Sequence, residues 1–225
     1  MGTIRRGIFL MLCLGGAVAA ASAADLKGHV TLVAPAADAG LTDVGDTVVF
    51  FTPDAKLRVR PLATVSVVTM QGKSFAPHVL PITEGSKVRF ANDDMILHNV
   101  FSTSPGNDFD MGFYGHGPGK TKTFEHPGLV RVYCNVHHEM FSYILVLDTP
   151  YYTELGDDGG FELRGLPPGP GEITVWNPRS TLWREHVDSV AAATVDLKLA
   201  LSRFAIPAHF NKFGKPYDKG ADPGY

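Results

Sequence analysis

Long apolar runs are nearly missing from this chain of 225 residues: after the stretch 8–20, no segment of membrane-spanning length recurs. Cysteine is scarcer still, with only Cys13 and Cys134. Cys13 lies inside that apolar stretch, behind Arg5 and Arg6 and ahead of Ala21-Ser22-Ala23. This succession of charged, apolar and small residues is that of a secretory signal, segment 1–23, cut after Ala23. The bulky Leu12 before Cys13 argues against lipid attachment. Removal of the signal leaves Cys134 as the sole thiol, so a disulfide within the mature chain is excluded and a reactive or liganding role is indicated. A bare thiol exported to an oxidising compartment is oxidised, whereas a thiolate held by a metal is protected. A basic excess is also lacking. The chain has 20 Lys and Arg against 23 Asp and Glu, and cleavage removes two arginines and no acid, leaving 18 against 23. That balance excludes nucleic acid as a natural partner. No hydrolase triad, phosphate loop or zinc-protease helix is present, and the expectation is a protein that is not an enzyme. Without a span in its mature form, it is expected to be soluble and periplasmic.

Turn residues and short β-prone runs fill the rest. Val, Thr, Phe and Tyr cluster in segments of about six residues between Gly and Pro signals, which points to an all-β fold. The spacing predicts strands over 28–33, 46–51, 63–70, 86–91, 96–102, 120–125, 128–134, 142–147, 161–163, 171–176 and 193–199. A hairpin turn is expected at Gly156-Asp157-Asp158-Gly159-Gly160. Residues 202–225 carry Pro, Gly and scattered aromatics without a period, and read as an extended tail, either lying on the domains or disordered.

The densest chemistry is in Cys134-Asn135-Val136-His137-His138-Glu139-Met140, where a thiolate, an imidazole and a thioether recur at three-residue intervals. With His98 from the apolar segment Met95-Ile96-Leu97-His98-Asn99-Val100-Phe101, they form the donor set of one Cys, two His and a weak axial Met that marks copper electron-transfer centres. Zinc accepts Cys and His as well, and the plain alternative is a metal-free structural loop. His138 and Glu139 are alternative axial donors to Met140, and are otherwise expected at the solvent-facing tip. His29, His78, His116, His126, His186 and His209 show no metal spacing and are expected in surface or turn positions. Met111 is expected to pack near the site, and Trp176 and Trp183 to be core or interface aromatics.

Several segments around these donors resemble the cupredoxins, the type 1 blue copper proteins. Thr83-Glu84-Gly85-Ser86-Lys87-Val88-Arg89-Phe90 resembles the strand that precedes the first ligand, His98-Asn99-Val100 the family's H-N-V, and Pro127-Gly128 with Val132-Tyr133-Cys134 its approach to the copper loop. The short ligand loop is most similar to that of amicyanin among the amicyanin- and plastocyanin-like members. Val100-Phe101-Ser102 and Asp148-Thr149-Pro150-Tyr151 resemble the methylamine-utilisation-protein-like group. The resemblance implies a Greek-key β-sandwich over 62–148, one Cu(I)/Cu(II) ion on His98, Cys134, His137 and Met140, and an Asn99 that hydrogen-bonds across to tie the two ligand segments together. It also implies His137 as the electron's exit, beside an apolar patch where a redox protein, a dehydrogenase or a cytochrome c, docks. The role expected is a single-electron carrier; a copper carrier or storage module, or a metal-free structural sandwich, are the alternatives.

Flanking this block, Asp157-Asp158-Gly159-Gly160-Phe161-Glu162-Leu163 with Gly165-Leu166-Pro167-Pro168-Gly169 resembles the carboxypeptidase-regulatory-like, transthyretin-type sandwiches. That family's opening strands are matched only upstream, at Gly28-His29-Val30 and Val48-Val49-Phe50. The resemblance implies a discontinuous second sandwich over 25–60 plus 150–201, with the first inserted in it or joined to it; exposed loop tips accept such insertions.

Overall fold

The structure, a computed structural model, describes residues 23–38, 44–190 and 193–217. The signal segment expected over 1–23 falls, but for Ala23, outside the described residues, as does the end of the tail. Among the described residues the regular structure is β-strand with two short 3-10 turns, Ala36–Asp38 and Val44–Asp46, and no helix is long and apolar enough to cross a membrane.

The strands form four sheets. The first holds β1 (Ala24–Val33), β13 (Gly160–Leu166) and β16 (Val195–Ala200) in the order β13-β1-β16. The second holds β2 (Val48–Pro53), β12 (Tyr152–Glu154), β14 (Gly171–Trp176) and β15 (Trp183–Val187) in the order β12-β2-β14-β15. Strands that precede residue 60 thus pair only with strands that follow residue 150. Every strand between them pairs within that interval. There, β5 (Val79–Thr83), β7 (His98–Ser102), β8 (Phe109–Tyr114), β10 (Gly128–Tyr133) and β11 (Phe141–Leu147) run in the order β5-β11-β10-β7-β8. The fourth sheet, β4-β3-β6-β9, is built from β3 (Ser66–Gln71), β4 (Ser74–Ala76), β6 (Lys87–Asn92) and β9 (Gly117–Thr123).

Side-chain alternation along the strands makes these four sheets a stack with three apolar layers. Leu26 and Val30 of β1 meet Val49 and Phe51 of β2 in the first layer. The other face of β2 turns Val48, with Phe50 behind it, toward Tyr143, Leu145 and Leu147 of β11 in the second. Ile144 and Val146, the alternate residues of β11, reach Val68, Met70, Val88 and Phe90 in the third. Strand β11 is therefore buried on both faces, which is why it is apolar almost throughout rather than alternating. Each such buried aliphatic or aromatic side chain is worth about 1.5–3 kcal/mol relative to exposure. In β9, Gly119 adopts φ +72°, and a Cβ there would fall on the Phe90 carbonyl, so only glycine lets β9 close onto the bulge of β6 before Asn92.

The apolar segment 96–102 departs from the expected strand. Only His98–Ser102 is strand; Met95 lies in a bend and Leu97 directly after it, 86% and 59% exposed. The expected strands 63–70 and 120–125 are displaced to Ser66–Gln71 and Gly117–Thr123, and β4, β5, β8, β12 and β15 were not anticipated.

Candidate metal centre

Two adjacent strands of the third sheet bring the donors together. His98 opens β7, whose Phe101 is paired with Tyr133, the last residue of β10. Cys134 follows directly. The loop to β11 closes on itself: the Cys134 N–H donates to the Met140 carbonyl (3.2 Å) and the Met140 N–H to the His137 carbonyl (3.0 Å). This tight turn swings His137 back over Cys134.

The three donor atoms form a compact triangle, shortest between the two nitrogens. Nδ1 of His98 lies 3.8 Å from Sγ of Cys134, Nδ1 of His137 lies 4.0 Å from the same sulfur, and the two nitrogens are 3.2 Å apart. A triangle with these sides has a circumradius of about 2.1 Å, which falls within the roughly 2.0–2.3 Å that imidazole nitrogen and thiolate sulfur keep from a first-row ion such as zinc. Among the described residues this is the one group of His, Cys, Asp and Glu so arranged. Cys134 and His98 are fully buried and His137 is 9% exposed, so the triangle has one corner near the surface.

The surroundings orient each donor. Nε2 of His98 is 2.8 Å from Oδ2 of Asp94. That hydrogen bond places the ring proton on Nε2 and leaves the Nδ1 lone pair facing Cys134, as carboxylates do for ligating histidines. Asp94 is itself held by the main-chain amides of Gly72 (2.7 Å) and Lys73 (3.0 Å). Burial pushes the Asp94 carboxyl up, but the Lys73 amide, His98 and the Gly72 amide together outweigh it and hold the group below the usual carboxylate range. Burial likewise opposes ionisation of Cys134, yet His98 and the main-chain amides of Asn99, His137 and Val136 bring its thiol below the usual value. The site is thus poised for an anionic sulfur beside imidazoles.

The remaining expected residues are placed as follows. Met140 is 1% exposed and packs in the same apolar cluster as Cys134. Glu139 is exposed. His138 is half-buried, with its ring centroid 3.6 Å from that of Tyr217, so it is not at a free tip. The Asn99 side chain does not reach across to the ligand loop: its Nδ2 donates to Asp110 at 2.7 Å. The link between the ligand segments is made instead by the Asn99 main-chain amide on Cys134. Met111 packs against the third apolar layer, Trp183 against the first and Trp176 against the second. Two histidines expected in surface or turn positions are tied in: His78 pairs with Asp46 at 2.7 Å, and His209 stacks on Tyr133 at 4.0 Å. Asp94 escaped the sequence reading although an acid four residues before a candidate ligand was visible there.

Beside His137 lies a hollow lined by Met95, Ile96, Leu97, Phe113 and Val136. Phe113 is 52% exposed, so the wall is an open apolar patch rather than core.

No protein-family model matches the chain, and no curated protein matches it. Solved structures do. A purple cupredoxin from Nitrosopumilus maritimus is 22% identical over 36% of this chain and 99% of its own, with a TM-score of 0.34. The reduced Cu(I) form of an amicyanin variant is 18% identical over 43% of this chain and 98% of its own, with a TM-score of 0.36. A Cu-containing nitrite reductase from Thermus scotoductus SA-01 is 28% identical over 52% of this chain but only 28% of its own, with a TM-score of 0.36.

Proposed function

We propose that this chain is an exported single-electron carrier, in which His98, Cys134 and His137 would hold one copper ion, with the Met140 thioether as the weak fourth donor. The observation that carries the reading is the donor triangle, whose centre lies at bonding distance from two imidazole nitrogens and one thiolate. Copper would supply the one-electron couple there. The chain's own part is to keep the donors in one arrangement for both oxidation states. Asp94 fixes the His98 ring, the amides of Asn99, Val136 and His137 hold the sulfur, and the closed loop Cys134–Met140 fixes His137. Little then has to move when an electron arrives or leaves.

His137 is the surface-facing ligand and so the natural exit. Met95, Leu97 and Phe113 around it form the docking face for a redox protein, a dehydrogenase or a cytochrome c, bound weakly enough for turnover. The carrier itself performs no reaction on a substrate, and works in the periplasm after removal of 1–23. The chain reads as a cupredoxin-like unit, 62–148, set into a transthyretin-like sandwich of 25–60 plus 150–201; the pairing of β1 and β2 with β13, β14 and β16 across the interval supports this.

Addition of Cu(II) to the mature protein tests the reading. An intense visible thiolate-to-copper band at one equivalent is expected; a colourless stoichiometric zinc complex with no coloured copper form would overturn it.

A further inference from the structure

Over its described residues, 202–217, the tail adds no strand, yet it touches both segments that carry donors. It is fastened beside the outer sandwich, where the Phe204 N–H donates to Asp38 Oδ2 at 2.6 Å and Arg179 bridges Asp38 and the Ser202 carbonyl. It then crosses the ligand loop. The His209 ring lies flat on Tyr133, with an interplanar angle of 7°, and the Tyr217 ring covers His138. The residue before Cys134 and the residue after His137 are thus both capped by the tail.

Lys212 sits between these two caps. Its main-chain N–H donates to Oδ1 of Asn135, inside the ligand loop, at 3.1 Å. Its ammonium lies 2.7 Å from Oδ2 of Asp110, and Oδ1 of that carboxylate accepts from Asn99 Nδ2 at 2.7 Å. Asn99 follows His98. The Lys212 side chain is 12% exposed and lies over the Phe113 ring at 4.8 Å, so its position is enclosed rather than adrift in solvent.

We propose that Lys212 is a positioning residue of the metal centre, tying the ligand loop through Asn135 to the His98 strand through Asp110 and Asn99. Beside the link that the Asn99 main-chain amide makes to Cys134, the Asn99 side chain is thus joined to the ligand loop through Asp110 and a residue from the far end of the chain. Separation of the two ligand segments requires one link of this series to break, Lys212 to Asn135, Lys212 to Asp110 or Asp110 to Asn99, so the tail helps set how often the site opens. The role of the site as a copper centre rests on the reading above; the mechanical role of Lys212 does not.

The experiment uses the full chain in two states. Without metal, the rate at which buried Cys134 reacts with a disulfide reagent reports opening of the site. Lys212→Met keeps the stem and the main-chain donor and removes the charge, and is expected to react roughly five- to tenfold faster than the parent. Lys212→Arg should stay within about twofold of the parent, because the charge and a donor remain. Asp110→Asn combined with Lys212→Met should be no faster than Lys212→Met alone, since both changes cut one link. With Cu(II), Lys212→Met should shift the charge-transfer band and the copper hyperfine splitting, and Lys212→Arg should restore both. Parent-like thiol rates in Lys212→Met, or rate increases that multiply in the double variant, would overturn the proposal. A parent that binds no copper but shows the thiol effect would sink the copper reading and leave the tie standing; a coloured parent with unaffected Lys212→Met would sink the tie alone.

Discussion

Replacing Asp94 by Ala separates what holds the fold from what aims a ligand. The carboxylate accepts three hydrogen bonds: from Gly72 N–H, from Lys73 N–H and from His98 Nε2. The two amides belong to an exposed turn, where water takes over, so each lost bond costs about 0.5 kcal/mol. His98 is fully buried, and its orphaned Nε2–H costs about 1–3 kcal/mol. The expected loss of stability in the metal-free protein is thus about 2–4 kcal/mol. The freed ring also ceases to present Nδ1 to the triangle, and copper affinity should fall about 10- to 100-fold, the usual cost of removing a carboxylate behind a ligating histidine. Guanidinium unfolding of the metal-free protein reads the first effect; copper titration against a competing chelator reads the second. If Asp94→Ala loses stability but keeps parental copper affinity, Asp94 merely fastens the turn and the argument for His98 orientation is wrong.

Cys134→Ala should abolish the colour and most of the copper affinity, whereas Met140→Leu should retain copper and raise the reduction potential, read by redox titration, because a weak axial donor is lost; an unaltered potential in Met140→Leu with a changed one in Glu139→Gln would move the axial assignment. Gly119→Ala should cost about 2–3 kcal/mol in chemical denaturation, from a left-handed φ and a Cβ set against the Phe90 carbonyl; a neutral result would place β9 elsewhere. His186 is raised above its ordinary value by the Asp54 carboxylate. Its folded-state pKa exceeds the unfolded one, so its small contribution is complete below pH about 6.5 and fades as pH rises through the raised value. An NMR titration should show that upward midpoint, and Asp54→Asn should bring it back.

Edge position explains most of what the sequence concealed. The five strands that pattern reading missed, β4, β5, β8, β12 and β15, each lie at a sheet edge. Edge strands pair on one side only, run short and tolerate residues that disguise them: Pro81 in β5 and Gly112 in β8 are examples. Central strands such as β2, β10 and β14 were legible because both faces or one full face had to be apolar. The opposite error arose at Met95, Ile96 and Leu97, where an apolar run read as strand is an open bend beside His137. Within the candidate site, the closeness of Cys134 and His137 was legible because one short loop carries both. His98 could be joined to them only as the missing donor of that set, with no spacing to place it, since the third sheet brings it from 36 residues away. The tail was illegible for a related reason. Its contacts, His209 on Tyr133 and Lys212 on Asn135 and Asp110, span about 75 to 100 residues and follow no period.

The central claim is that one copper ion sits inside the triangle of His98, Cys134 and His137. X-ray absorption at the copper edge, on the mature protein loaded with one equivalent, measures this directly. Two nitrogens and one sulfur are expected around the copper, all within about 2.0–2.3 Å, with the sulfur absent in Cys134→Ala. A shell of nitrogen and oxygen alone in the parent protein, or one unchanged in Cys134→Ala, would place the copper elsewhere and contradict it.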